Sequence, residues 1–203
     1  MKKLSKEPLN LIVAGVGGQG NVLMSFIIGR ALVSQGYFVS VGDTYGASQR
    51  GGSVASHVRI SEHTCYGSLI PGGHADVILS LEPAETLRML GQFGNPDVVT
   101  LTNTRPIYPA DVTSGRATYP NIDELLKLIE KLSAKLIVIK ATDEAIKLGS
   151  PIFANVILIG ALIASGVLPL DKKLLEPILK ENFPKEFEAN IAAFNKGVEL
   201  AGH

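Results

Sequence analysis

The sequence predicts an α/β fold in three layers: a mixed, mostly parallel sheet with an antiparallel hairpin, covered by helices that include a C-terminal group. Three observations predict it. Apolar runs of strand length alternate with segments of helical period, beginning with LNLIVAGVGGQG at residues 9–20. Two segments after residue 44 follow each other too closely for a crossover helix, so part of the sheet must be antiparallel. Beyond residue 141 the pattern is helical throughout. A chain of 203 residues suffices for one α/β domain burying roughly 70% of its unfolded surface and is short for two. Residues 1–203 are therefore read as a single domain.

Leu9, Leu11, Ile12, Val13 and Ala14 form a near-continuous apolar run, as a strand covered on both faces requires. Val22, Leu23, Phe26, Ile27, Ala31 and Leu32 then return at helical spacing. Between them Gly15, Gly17 and Gly20, with Gly18 and Gln19, match G-x-G-x-x-G in its strand–turn–helix context. Residues without Cβ can take φ > 0 and let an anion approach the N–H groups at the positive end of a helix. Two readings stand at this point: contact with a phosphate or nucleotide, or tight packing of strand on helix.

A second strand is expected over residues 37–41, closing at Gly42-Asp43. Asp43 follows Gly20 at close to the ~20 residues that separate this fingerprint from the ribose-binding acid of an NAD site. A turn-forming Asp beside a glycine explains it equally well. TYGASQRGGSVASHVRIS, residues 44–61, opens as a loop rich in glycine and serine and ends in an alternating strand over 53–60. That strand is expected to pair antiparallel with CYGSLI, residues 65–70, through a turn at Glu62-His63. A buried strand over 76–81, a helix over 84–90 with Pro83 as its first residue, and a strand over 97–103 follow. After a proline-spaced loop, Asn121 or Asp123 caps a helix ending at 131, and residues 135–141 form a last strand. A turn over 142–148, an apolar helix from Ile152, a helix from Asp171 and a helix from Lys185 cover the sheet or meet a partner.

The chain carries 19 basic and 19 acidic residues, so nothing draws it as a whole to nucleic acid or an anionic membrane. Lys2, Lys3 and Lys6 precede an apolar run, but the run ends in GVGGQG and reads as a buried strand rather than a secretory signal. The apolar stretch over 152–168 is interrupted by Asn155, Gly160, Ser165 and Gly166 and falls short of the ~20 residues that span a bilayer. No membrane partner is expected. Cys65 is the only cysteine, which excludes an internal disulfide and a self-contained iron–sulfur cluster and fits a reducing cytoplasm.

Chemistry concentrates in the loop at residues 45–53, where Ser48, Gln49 and Arg50 stand between Gly46 and Gly51-Gly52 just past a strand end. Arg50 offers a fork of donors to a carboxylate or phosphate; a solvated arginine in a surface loop is the plainer reading. His57, His63, His74 and His203 show no metal-ligand spacing. Cys65 has neither an adjacent base nor a C-x-x-C partner and is expected to be buried and inert. Glu82, before Pro83, is expected to cap the helix that follows. With no nucleophile elbow, Walker lysine or His-rich motif, no catalytic or metal-binding residue is assigned.

NLIVAGVGGQG, GDTYGASQRGGSVASHVRIS, ADVILSLEPAETLR, TNTRPIYP and ATYP, followed by FANVILIGAL and PKEFEANIAAFNKG, resemble in order the gamma-type domain of 2-oxoacid:ferredoxin oxidoreductases. SQRGG at Ser48 to Gly52 is similar to the indolepyruvate type, since pyruvate-type relatives read EMRGG there. The resemblance implies a non-redox subunit of a thiamine diphosphate-dependent enzyme that oxidatively decarboxylates aryl 2-oxoacids to acyl-CoA and passes electrons to ferredoxin. It implies that thiamine diphosphate and the iron–sulfur clusters sit on a larger partner subunit, that coenzyme A is co-substrate, and that the isolated chain is inactive. It moves Gly15 to Gly20 and Ser48 to Gly52 from an NAD role to the coenzyme A phosphates or the subunit interface, and removes the ribose role from Asp43. The fingerprint and Asp43 alone would support an independent nucleotide-binding protein or NAD-linked dehydrogenase, and a purely structural interaction domain is a third reading. With 46% hydrophobic residues, an unpartnered face predicts a homodimer when the chain is isolated.

Overall fold

The computed structural model describes residues 2–46 and 52–202. Its centre is a six-stranded sheet in the order β2 (Phe38–Tyr45), β3 (Ser53–Ser61), β1 (Leu9–Val16), β4 (Val77–Ser80), β5 (Val99–Asn103), β6 (Lys135–Ile139). β1 is buried at every position, and its side chains alternate between two cores. Leu9, Leu11 and Val13 face α1 (Asn21–Ser34), while Ile12 and Ala14 face the opposite side. β4, also fully buried, runs parallel to β1, followed by β5 and β6 in parallel. β3 runs antiparallel to β1 on one side and to β2 on the other. The sheet is therefore mixed and mostly parallel, as expected.

The antiparallel hairpin joins β2 to β3, not β3 to residues 65–70. CYGSLI forms no strand. It crosses over β2 and β3 as a strap whose end, Ile70, is buried, and the Ile70 N–H donates to His57 Nδ1 at 3.2 Å instead of to a ladder. Cys65, expected to be buried, is exposed at the start of this strap. Alternating apolar residues cannot distinguish a strand from a strap that buries its last residue.

Two helices cover one face: α2 (Pro83–Phe93) lies on β1, β4 and β5 and packs on α4 (Ile122–Lys131). Glu82 caps α2, accepting from the Glu85 N–H at 2.9 Å. Asn121 is the cap of α4, accepting from Asp123 and Glu124. Between them the proline-spaced loop contains a short helix, α3 (Ala110–Thr113), that the pattern did not announce. The other face carries α1, α5 (Ala141–Lys147), α6 (Ala154–Ala164), α7 (Leu175–Asn182) and α8 (Phe187–Ala201). α6 is buried from Ala154 through Ile163, which is why its sequence is apolar on all sides. Gly160 and Gly197 face each other where α6 crosses α8, each helix backbone occupying the place of the other glycine's absent Cβ. Among the described residues no helix is long and apolar enough to cross a membrane.

Candidate functional site

The first glycine turn and the second candidate loop meet at the carboxyl edge of the sheet. Gly17 N–H donates to the Gly52 carbonyl at 2.9 Å, and Val16 pairs with Ser53 in the β1–β3 ladder. Ser48, Gln49, Arg50 and Gly51 lie outside the described residues. Within the turn the glycines divide their roles. A Cβ on Gly15 would stand 2.6 Å from Gln19 Oε1 and 2.7 Å from Asn21 Oδ1, so Gly15 serves close packing. Gly20 precedes α1 at φ 85°, left-handed backbone that costs an ordinary L-residue ~1–2 kcal/mol. A Cβ on Gly18 meets nothing within 4 Å and would project into open space.

The donors of the turn are partly spent inside it. Gln19 N–H goes to the Val16 carbonyl at 3.1 Å, and Gln19 Oε1 accepts from Val16 N at 2.7 Å. No described residue accepts from Gly18 or Gly20, and the first turn of α1 has no intrahelical acceptors for its N–H groups. These donors face the place where α1 leaves β1 on one side of the sheet and α2 leaves the neighbouring β4 on the other. Open α/β sheets bind ligands at such a switch point.

A crevice of about 500 Å³ opens there, lined by Gly18, Gln19, Arg105, Ile107, Ile152 and Asn155 among others. Its floor is a pair of amides hydrogen-bonded across three strand ends, Gln19 half-buried and Asn103 fully buried. Gln19 Nε2 donates to the Leu81 carbonyl at 3.4 Å; Asn103, fully buried, donates to the same carbonyl at 3.1 Å and to Thr142 Oγ1 at 2.9 Å. Among the described residues Arg105 is the cation of the crevice, and its one ion pair there is a 4.0 Å approach to Asp143 with both side chains about half exposed. Such a pair contributes little, which leaves the guanidinium free for an anion. Apolar side chains stand around the mouth: Ile146 is 51% exposed and Ile152 is 67% exposed. Asn103 and Arg105 went unassigned in the sequence; the signal was a polar TNTR ending an apolar strand.

Beneath the loop that carries Arg105, Glu82 is 1% exposed. Besides capping α2 it accepts from Tyr119 Oη and from the Ile107 N–H at 3.4 Å, so one carboxylate ties residues 107 and 119 to the end of β4. Burial pushes its carboxyl above the usual range, against the hydrogen bonds, which lower it. Tyr119 is held neutral by its own burial and by Glu82. A carboxyl that titrates higher folded than unfolded contributes stability fully present below its unfolded value, ~4.3, and lost as pH rises through the folded value. The stability difference between the native chain and Glu82→Gln is therefore expected to be largest near pH 4 and to shrink toward neutrality. Urea denaturation across that range checks it; a difference that grows with pH contradicts the assignment.

Asp43 does not end its strand beside β1. β3 lies between β2 and β1, whereas a dinucleotide fold sets its second strand next to the first; Asp43 accepts from Ser56 Oγ. No cluster of His, Cys, Asp and Glu with metal-binding geometry occurs among the described residues, and a single cysteine does not fit the four thiolates of an iron–sulfur centre.

A family model described as pyruvate ferredoxin/flavodoxin oxidoreductase matches residues 10–200. Indolepyruvate oxidoreductase subunit IorB of Thermococcus kodakarensis is 40% identical over 194 residues, covering 95% of both chains. The fold is shared with the gamma subunit of keto/oxoacid ferredoxin oxidoreductase from Geobacter sulfurreducens, at TM-score 0.67 and 23% identity over 95% of this chain and 98% of that one. It is shared also with 2-oxoglutarate:ferredoxin oxidoreductase from Magnetococcus marinus, solved with 2-oxoglutarate, coenzyme A and succinyl-CoA bound, at TM-score 0.75 and 23% identity over 97% of this chain and 31% of that one. The family match and the 40% identical relative support the 2-oxoacid oxidoreductase reading and not the independent NAD-linked dehydrogenase, and the chain belongs to the pyruvate ferredoxin/flavodoxin oxidoreductase family.

Proposed function

We propose that this chain is the small, non-redox subunit of a thiamine diphosphate-dependent indolepyruvate ferredoxin oxidoreductase, acting as one gamma-type domain over residues 1–203. The observation that carries this reading is the 40% identity to an indolepyruvate oxidoreductase subunit over 95% of both chains. The reaction removes carbon dioxide from an aryl 2-oxoacid, transfers the acyl group to coenzyme A and delivers two electrons to ferredoxin. By the family resemblance thiamine diphosphate and the iron–sulfur clusters belong to the larger subunit, a placement with which the single cysteine here agrees. The complex is cytoplasmic, where a lone exposed thiol stays reduced.

The carboxyl edge of the sheet is the face this chain brings to the assembly. The Gly18 and Gly20 N–H groups, without an acceptor among the described residues, and Arg105 suit the phosphates of coenzyme A, and the resemblance adds Arg50 to them. The exposed Ile146 and Ile152 suit an apolar contact with the larger subunit. Calorimetry on the reconstituted complex tests the site. Gly18→Val, which puts a β-branched residue on left-handed backbone at φ 99° and so distorts the turn, and Arg50→Ala are each expected to weaken coenzyme A by about tenfold or more. Unchanged affinity in both would remove coenzyme A from this edge. Light scattering on a mixture of the two subunits tests the assembly separately.

A further inference from the structure

Among the described residues, the face of the sheet that carries α2 has no helix over its β2–β3 end. The strap of residues 65–72 crosses there instead, so close that a Cβ on Gly42 would lie 2.7 Å from Ser68 Oγ. Between the strap, the two strands and α2 lies a cavity of about 480 Å³, within the usual size of small-ligand sites. Ala55, Leu69, Ile70, Met89 and Phe93 give it apolar walls. His57 and Arg88 are its nitrogen donors of interest.

His57 is 2% exposed. Its Nδ1 accepts from the Ile70 N–H, which places the ring proton on Nε2. Burial pushes the imidazole down, with Asp43 acting the other way, so the ring is neutral near pH 7 and Nε2 is a donor. Phe93 meets it edge-on, with centroids 5.1 Å apart at 86°, and fixes its plane. That Nε2–H has no partner among the described residues, and an unmet buried donor costs ~1–3 kcal/mol. Arg88, at the outer wall, touches Glu85 only through Nε, at 3.4 Å; no described residue takes its terminal nitrogens.

We propose that this cavity is a binding site for a small carboxylate with an apolar body. The carboxylate accepts from His57 Nε2–H and neutralises Arg88, while the apolar body lies against Leu69, Met89 and Phe93. One unmet buried donor beside a cation whose side chain is 62% exposed at the rim fits an anion that accepts at more than one oxygen, and the apolar walls exclude one that is hydrated all round. The site lies on the β2–β3 side of α2 and shares no lining residue with the crevice of Arg105; Tyr45, Gly46 and Ser53 at its rim flank the loop proposed for coenzyme A, so the test uses a carboxylate that carries no phosphate.

NMR titration of the full chain with phenylacetate tests the proposal, reading the His57 imidazole and the Ile70 amide. Saturating shifts of both are expected with a Kd of about 1 mM. Binding should weaken about tenfold in Arg88→Ala, a surface change that spares the fold, and fail to saturate with neutral 2-phenylethanol. The absence of a saturating shift up to about 20 mM phenylacetate would overturn the proposal, as would equal affinity in Arg88→Ala or for the neutral alcohol.

Discussion

Gly197→Ala is expected to destabilise the chain by about 3 kcal/mol, although alanine is the better helix former by ~1 kcal/mol. A methyl at Gly197 would overlap the Ile157 carbonyl and lie 2.8 Å from its carbon and 2.9 Å from Ala161 N. Both are backbone atoms of α6, which cannot turn aside as a side chain can. α6 and α8 must therefore separate, and α6 is the helix buried along nearly its whole length. Gly91 in α2 is the internal control. It is exposed, and a Cβ there meets nothing within 4 Å, so Gly91→Ala is expected to stabilise by ~0.5–1 kcal/mol. Thermal denaturation of the pair should move Tm in opposite directions, downward by roughly 10 °C for Gly197→Ala. Shifts of the same sign would contradict the close crossing of the two helices.

Asn103→Ala is expected to cost about 3 kcal/mol. Asn103 is fully buried, donates to Leu81 O and Thr142 Oγ1, and accepts from the Thr142 N–H at 3.3 Å. Its removal leaves buried polar groups at the end of β4 and the start of α5 without their partner. The same change frees the crevice floor next to Arg105, so assembly with the larger subunit should weaken as well. Urea denaturation measures the first effect; a cost below about 1 kcal/mol would mean that water replaces the amide without loss.

Periodicity placed β1, α1, β4, α2, β5, α4 and β6 because each buries one stripe or both faces, and burial is what an apolar pattern records. It could not order the strands. The insertion of β3 between β1 and β2 depends on pairing across the sheet, and with it fell the apparent link between the glycine turn and Asp43. CYGSLI misled for a related reason: Ile70 is the buried end of a strap, and a single inward residue resembles one turn of a strand's alternation. At the site, the glycines were legible because a strand-to-helix turn needs them. The contact of Gly17 with Gly52 is a meeting of segments far apart in sequence, and no local pattern encodes it. Asn103 and Arg105 were hidden as ordinary polar residues in a loop; only the burial of one and the position of the other at a switch point separate them from their neighbours. Gly160 read as an interruption of an apolar segment and is instead the point where α6 admits α8.

The proposed role of this chain is to complete an oxidoreductase whose redox cofactors lie on another subunit. Its most direct test is the coenzyme A-dependent reduction of ferredoxin by indolepyruvate, measured with this chain alone, with the larger subunit alone and with both. Sustained turnover is expected only when the two are combined, with no NADH formed in any of the three. Full turnover by the larger subunit alone, or reduction of NAD⁺ by this chain alone, would contradict it.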